Sequence, residues 1–291
     1  METSLLAPGH RACAGCAMPM AIKLVLDAAG PNTIVASPTG CLEVTTTPFP
    51  ESAWCVPWIH SLFENAAAVA SGVEVMLKRR CQDTNVVVIG GDGSTFDIGM
   101  GSNSGMFERG HKILYVCYDN EAYMNTGVQR SGSTPFCAAT TTTPAGLRSL
   151  GNPRPKKDMP AIALAHKVPY VATASIAYPV DLRRKVKRAL ATQGPSYIQI
   201  NAPCITGWTF EAGTTVELAR AAVETGLWPL LEFTNGSLTE VKKIRRPKPV
   251  EEYLKTQGRY KHLFKRPEGA DIIKDIQAMA NANIAKYSLV D

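Results

Sequence analysis

Short, uniformly apolar runs alternate with stretches of helical periodicity through the first two hundred residues. Thr33-Ile34-Val35-Ala36, Asn85-Val86-Val87-Val88-Ile89, Ile113-Leu114-Tyr115-Val116-Cys117-Tyr118 and Tyr197-Ile198-Gln199-Ile200 each end in a turn: Thr39-Gly40, Gly90-Gly91-Asp92-Gly93, Asp119-Asn120 and Ala202-Pro203. Runs apolar at nearly every position belong to strands buried on both faces, as in a parallel sheet covered by helices. Helical patterns are predicted over Met18–Ala29, Asn65–Lys78 and Asp181–Ala191. The second is rich in small residues (Ala66-Ala67-Ala68-Val69-Ala70-Ser71-Gly72) and so packs closely. The third has Asp181 as its cap and a solvated basic face of Arg183, Arg184, Lys185, Lys187 and Arg188. A short helix over Ser104–Arg109 completes a strand–helix–strand unit. Its right-handed crossover puts the Asp92 and Asn120 turns on the carboxyl edge of one sheet, where ligands of open α/β sheets bind. The fold class is therefore α/β, a parallel sheet with helices on both faces.

Beyond Trp208 the pattern changes. Thr215–Thr225 reads as a helix closed by Gly226, and two apolar runs flank Asn235-Gly236, a hairpin signal. Lys242–Pro249 is a basic, proline-broken connector, and helices are expected over Glu251–Gln257 and Ile272–Ala285. The division predicted is an α/β domain over 1–210 and a C-terminal extension over 211–291 that contacts a partner subunit. Thr134–Lys157, long and aperiodic, reads as a functional loop, with Thr140–Pro144 forming a site or interface wall.

Composition narrows the class. No apolar stretch approaches the ~20 residues of a membrane span. Met1–His10 lacks a basic region followed by an apolar core, so a cytoplasmic chain is expected. The net charge of +6 is modest and no aromatic-interleaved basic motif points to nucleic acid, though a positive surface favours an acidic electron carrier.

The candidate chemistry lies in two sets of residues. Asp92 offers a hard anionic oxygen, and Asn120 with a nearby main-chain carbonyl offers neutral ones, a set suited to Mg²⁺. Gly90, Gly91 and Gly93 would let the backbone approach a phosphate and take up positive φ. The second set is sulfur. Of 8 cysteines, Cys13 and Cys16 form a Cys-x-x-Cys pair ahead of any strand, against a thioredoxin-like couple. No second close pair or His-x₃₋₅-His favours zinc. Cys41 and Cys204 follow strand ends, so Cys13, Cys16, Cys41 and Cys204 could converge around a [4Fe–4S] cluster. Cys117 reads as core, and Cys55, Cys81 and Cys137 as ordinary thiols.

Gly-Asp-Gly followed by Asn on the next strand, then Tyr123-x-Asn125-Thr126-Gly127-x-Gln129, resembles the β subunit of the 2-oxoacid:ferredoxin oxidoreductases, its pyruvate-specific branch most closely. The resemblance runs from about Gly9 to Trp208. It implies a thiamine diphosphate-binding (PP-type) fold, with Asp92, Asn120 and the Ala122 carbonyl on Mg²⁺. It further implies Gly91, Gly93, Ser94 and Thr126 along the diphosphate, and Asn125 facing the reacting carbon. It assigns the cluster to Cys13, Cys16, Cys41 in Gly40-Cys41-Leu42-Glu43, and Cys204 in Pro203-Cys204-Ile205-Thr206-Gly207-Trp208.

The activity implied is reversible oxidative decarboxylation of pyruvate with CoA to acetyl-CoA and CO₂, electrons leaving through the [4Fe–4S] cluster to ferredoxin. Oxalate, 2-oxoisovalerate and 2-oxoglutarate are alternative substrates. The partners implied are a pyrimidine-binding α subunit, which supplies the glutamate that activates the cofactor ring, and a ferredoxin-like subunit. Glu43, Glu64 and His60 are read as structural, so the chain alone is expected to be inactive. A non-redox thiamine diphosphate lyase and a zinc-stabilised assembly subunit are the competing classes.

Overall fold

The computed structural model describes residues 4–291, so Met1, Glu2 and Thr3 of the segment read for a signal lie outside the described residues. In chain order the strands are β1 (Thr33–Pro38), β2 (Trp58–Ser61), β3 (Asn85–Gly91), β4 (Leu114–Asp119), the two-residue pieces β5 (Ala145–Gly146) and β6 (Ser149–Leu150), β7 (Tyr170–Ser175), β8 (Ser196–Asn201), β9 (Leu231–Thr234) and β10 (Ser237–Val241). Apart from the β5–β6 ribbon they form one sheet, ordered β10-β9-β7-β8-β4-β3-β1-β2. All pairings from β7 to β2 are parallel; β9 and β10 are antiparallel additions at the edge.

Each apolar strand feeds both faces, because successive side chains alternate. Val87 and Ile89 of β3 pack with Leu114 and Val116 beneath the helices Ala17–Ala29 and Pro179–Ala191. Val86 and Val88 pack with Tyr115 and Cys117 beneath the helices Ala66–Arg79, Met100–Glu108 and Met159–Ala165. Cys117 is fully buried there. The helix expected over Ser104–Arg109 starts at Met100, after a π-helical segment Gly93–Ile98 that runs directly from the end of β3.

Two expectations are corrected. The basic helix begins at Pro179 with Tyr178 at its cap; Asp181 lies in its first turn and accepts from Arg184 at 2.9 Å and Lys185 at 2.6 Å. Lys185 is not solvated: it is buried and donates to the Thr173 carbonyl at 2.8 Å. The segment after 210 adds to the same sheet. Asn235 and Gly236, both at positive φ, make the two-residue turn of the hairpin, and β9 of that hairpin pairs with β7. The remaining C-terminal helices close a third apolar core around Trp208, Trp228, Tyr253 and Tyr260, continuous with the sheet through the Trp228 indole N–H, which donates to the Ala174 carbonyl. Among the described residues, no helix is long and apolar enough to cross a membrane.

Candidate functional site

The carboxyl ends of β1, β3, β4 and β8 lie side by side, bringing Cys41, Asp92, Asn120 and Cys204 to one rim. The Asp92 turn is built from local, small residues. A Cβ on Gly93 would strike the Tyr123 ring, and one on Gly91 would press on the Tyr118 ring at 3.3 Å. None of Gly90, Gly91 and Gly93 has positive φ, so the expectation of left-handed glycines is overturned; they are needed for close approach. The first N–H groups of the helical segment opening at Gly93 have no intrahelical acceptor, leaving donors suited to an anion. The Ser94 hydroxyl donates to the Gly91 carbonyl at 2.9 Å, so its backbone N–H is the group left for a ligand.

Asp92 is buried, and Ser131 donates to its Oδ2 at 2.5 Å. Burial and the neighbouring Asp119 push its carboxyl well above the ordinary range, so an anion here calls for a cation.

On the adjacent strand end, the Asn120 carboxamide atom facing Asp92 lies 2.8 Å from both Asp92 Oδ1 and the Ala122 carbonyl oxygen. With oxygen in that position, three acceptors converge with no hydrogen between them, a set that a divalent cation would satisfy. With nitrogen there, the amide instead donates to both. Between Asn120 and Ala122, Glu121 is held at φ 69, a left-handed conformation that costs a side-chain-bearing residue of order 1–3 kcal/mol.

What holds this turn comes from far along the chain. Lys156 pairs with Asp119 at 2.7 Å and Glu121 at 2.9 Å; Arg259 pairs with Glu121 at 2.7 Å. Burial pulls the Glu121 carboxyl upward, but Lys156 and Arg259 outweigh it and hold it below its ordinary range. Burial would likewise lower the Lys156 ammonium, yet Asp119 and Glu121 raise it instead. The Trp208 indole N–H donates to the Asn120 carbonyl at 2.7 Å, with the Arg259 guanidinium 3.7 Å above the indole ring.

Three of the four predicted cysteines open helices: Cys16 caps Ala17–Ala29, Cys41 begins Cys41–Thr46, and Cys204 caps Ile205–Trp208, its sulfur accepting from the Gly207 N–H at 3.4 Å. At Cys16 and Cys204 backbone N–H groups at the helix start lower the thiol, but burial outweighs them. Cys13 joins them through a turn with Gly15 at φ 75, where a Cβ would strike the Ala212 carbonyl. Thr215 donates to the Gly15 carbonyl at 2.6 Å, so the C-terminal segment clamps the Cys-x-x-Cys loop.

Burial above all, with the neighbouring Cys204 and Cys13 sulfurs adding to it, pushes the Cys16 thiol up to about 11 and the Cys41 thiol up to about 12. All eight cysteines are free. Among the described residues no three His, Cys, Asp or Glu side chains are grouped as a metal ion would need. A four-iron cluster binds each thiolate to its own iron, which spaces the sulfurs more widely than one ion does.

The two sets share a wall. A cavity of about 160 Å³ is lined by Cys41, Gly91, Asp92, Gly93, Ser94, Asn120, Ala122, Asn125 and Thr126, together with Phe63 and Tyr123. Asn125 and Thr126 are exposed at its rim; the Thr126 hydroxyl donates to Gln129. Asp92 is the cavity's one carboxylate among the described residues. His60 stands back, 2.9 Å from the Thr39 hydroxyl. The Thr140–Pro144 segment braces this wall from behind, Thr141 donating to the Gly127 carbonyl at 2.9 Å. Sequence reasoning missed Ser131, Lys156, Glu121 and Arg259, and took Trp208 only as part of a motif.

Residues 38–200 match the family described as thiamine pyrophosphate enzyme, C-terminal TPP binding domain. The chain is 62% identical to pyruvate synthase subunit PorB of Methanosarcina barkeri, covering 97% of this chain and 96% of that one. It is 58% identical to the subunit of the same name from Methanothermobacter thermautotrophicus, over 90% and 91% of the two chains. A solved 2-oxoglutarate:ferredoxin oxidoreductase from Magnetococcus marinus superposes with a TM-score of 0.58 at 25% identity, covering 74% of this chain and 79% of that one. The chain belongs to the β subunits of the thiamine diphosphate-dependent 2-oxoacid:ferredoxin oxidoreductases, the family of the pyruvate synthase PorB subunits.

Proposed function

We propose that this chain is the cofactor-bearing β subunit of a pyruvate:ferredoxin oxidoreductase, which converts pyruvate and CoA to acetyl-CoA and CO₂ and passes two electrons, one at a time, to ferredoxin. The carrying observation is the meeting of Asp92 Oδ1, the Asn120 carboxamide and the Ala122 carbonyl at 2.8 Å spacings, in a cavity whose other wall includes Cys41. One carboxylate and two neutral oxygens match what Mg²⁺ takes from protein when phosphate and water complete its octahedron.

In this reading Asp92, Asn120 and Ala122 hold Mg²⁺, while the backbone of Gly91, Gly93 and Ser94, with Thr126, lines the diphosphate. Cys13, Cys16, Cys41 and Cys204 hold a [4Fe–4S] cluster; burial raises the free Cys16, Cys41 and Cys204 thiols, so iron binding there would release their protons. When bound, thiamine diphosphate supplies the carbanion and electron sink for decarboxylation, and the cluster supplies the outward path for electrons. The chain's own tasks are positioning and exclusion of water. Asn125, exposed at the cavity rim, is the polar group assigned to the reacting carbon.

With Asp92 committed to metal, the glutamate that activates the cofactor ring comes from a pyrimidine-binding α subunit, and a ferredoxin-like subunit relays the electrons. Pyruvate is favoured by the names of the relatives described above; 2-oxoglutarate, 2-oxoisovalerate and oxalate are the competing acids. The test is the co-purified complex, assayed with each acid for CoA-dependent ferredoxin reduction and for visible absorbance bleached by dithionite. Fastest turnover on pyruvate, lost on omission of Mg²⁺ and thiamine diphosphate, fits the proposal. Pyruvate turnover by the isolated chain, or a complex without iron, contradicts it.

A further inference from the structure

Glu121 is the one residue separating Asn120 from Ala122, and its backbone is left-handed at φ 69. A left-handed residue at that point reverses the chain, which is why the Ala122 carbonyl returns to within 2.8 Å of the Asn120 carboxamide. Glutamate has no intrinsic preference for this conformation, unlike glycine or asparagine. Its side chain, however, is held by charge on both oxygens. Lys156 donates to Oε1 at 2.9 Å, and the Arg259 guanidinium stands 2.7 Å from Oε2 as an ion pair.

Arg259 is itself fixed. Its Nε donates to Gln257 at 2.8 Å, and its guanidinium lies 3.7 Å from the centre of the Trp208 ring, whose N–H grips the Asn120 carbonyl. One guanidinium in the C-terminal segment thus bears on Glu121 and, through Trp208, on the peptide unit that joins Asn120 to it.

We propose that Arg259 is a positioning residue of the metal site: with Lys156 it pins Glu121 in the left-handed conformation that turns the Ala122 carbonyl toward Asn120, and through Trp208 it fixes the Asn120 main chain. The proposal rests on the reading of Asp92, Asn120 and Ala122 as the Mg²⁺ set. It gives the segment after Trp208 a role in cofactor binding although none of it lines the cavity. Trp208 also follows Cys204 within one short helix, so the same strut ties the cysteine rim to the metal turn.

The test is calorimetric affinity of the co-purified complex for thiamine diphosphate as a function of Mg²⁺, read beside thermal stability. Arg259→Leu weakens Mg²⁺-dependent binding about tenfold or more, whereas Arg259→Lys, which keeps the charge but not the planar stack on Trp208, weakens it about threefold. Glu121→Gly introduced into Arg259→Leu restores affinity to within about threefold of wild type, because glycine takes positive φ freely and the carboxylate that has lost Arg259 is gone. Glu121→Ala alone weakens binding about tenfold while Glu121→Gly alone does not.

A merely structural arginine would lower stability without this rescue. Wild-type affinity in Arg259→Leu, or no rescue by Glu121→Gly, overturns the proposal. Should Arg259→Leu fail to fold, equal affinities of Glu121→Ala and Glu121→Gly overturn it instead. A wild-type complex that binds the cofactor independently of any divalent cation removes the metal-site reading itself, and that result is distinct from the others.

Discussion

The turns after β3 and β4 stand side by side and face the same point, yet they are made in opposite ways. The Asp92 turn is largely local: its glycines fit beneath the Tyr118 and Tyr123 rings of the next strand and turn, and a helical segment starts at once, with one remote hydroxyl, Ser131, on the carboxylate. The Asn120 turn is long-range: Asp119 and Glu121 are buried acids whose partners, Lys156 and Arg259, arrive from distant segments, and Trp208 holds the carbonyl between them. A turn of the first kind leans on a single remote side chain. One of the second kind fails when any of its three remote anchors, Lys156, Arg259 or Trp208, is lost.

The largest effect expected from this contrast is at Lys156. Replacing it with Met leaves Asp119 and Glu121 buried with one cation fewer and destabilises the fold by about 3–5 kcal/mol, measured by denaturant unfolding. A loss under about 1 kcal/mol would place the Asn120 turn in the local class.

Asp92→Asn comes next and separates function from stability. Cofactor affinity in the presence of Mg²⁺ falls by on the order of 100-fold. The cation-free chain, by contrast, gains stability at neutral pH. The Asp92 carboxyl is raised by burial and Asp119, so without a cation its ionisation opposes folding; that penalty is absent below its ordinary 3.8 and grows as pH rises toward the folded value. A cation-free variant less stable than wild type at pH 7 would show that burial is not what raises this carboxyl.

Ser131→Ala removes one charge-assisted hydrogen bond from the local turn and costs about 1.5–3 kcal/mol or less, with cofactor affinity weakened more than folding.

The smallest effect lies at the opposite edge of the sheet. Glu74, buried, is pulled up by burial but held below its ordinary 4.5 on balance by Lys78, His111 and the Lys112 N–H. Its contribution is present above 4.5 and lost as pH falls through the folded value, so Glu74→Gln flattens the acid limb of the stability profile without touching cofactor affinity. An altered cofactor affinity would show that the two edges are coupled.

The same contrast explains what was legible in the sequence. Apolar runs ending in Gly-Asp-Gly and Asp-Asn located β3, β4 and both turns, since strand burial and turn chemistry are written in adjacent residues. The Asn235-Gly236 hairpin was legible for the same reason. That its β9 strand joins the main sheet was not, because strand pairing is a tertiary fact. The strand Trp58–Ser61 escaped notice: it lies at the sheet edge, half-exposed, and carries no buried run. Arg259 and Lys156 were invisible as site residues because each sits in a polar stretch that, taken alone, reads as solvated surface.

The most direct test is a structure of the co-purified complex with thiamine diphosphate and Mn²⁺ in place of Mg²⁺, the ion located by its anomalous signal. The account predicts Mn²⁺ bound by Asp92, the Asn120 carboxamide oxygen and the Ala122 carbonyl, beside the diphosphate. An ion held elsewhere, or an Asn120 amide nitrogen still donating to Asp92 with cofactor bound, would contradict it.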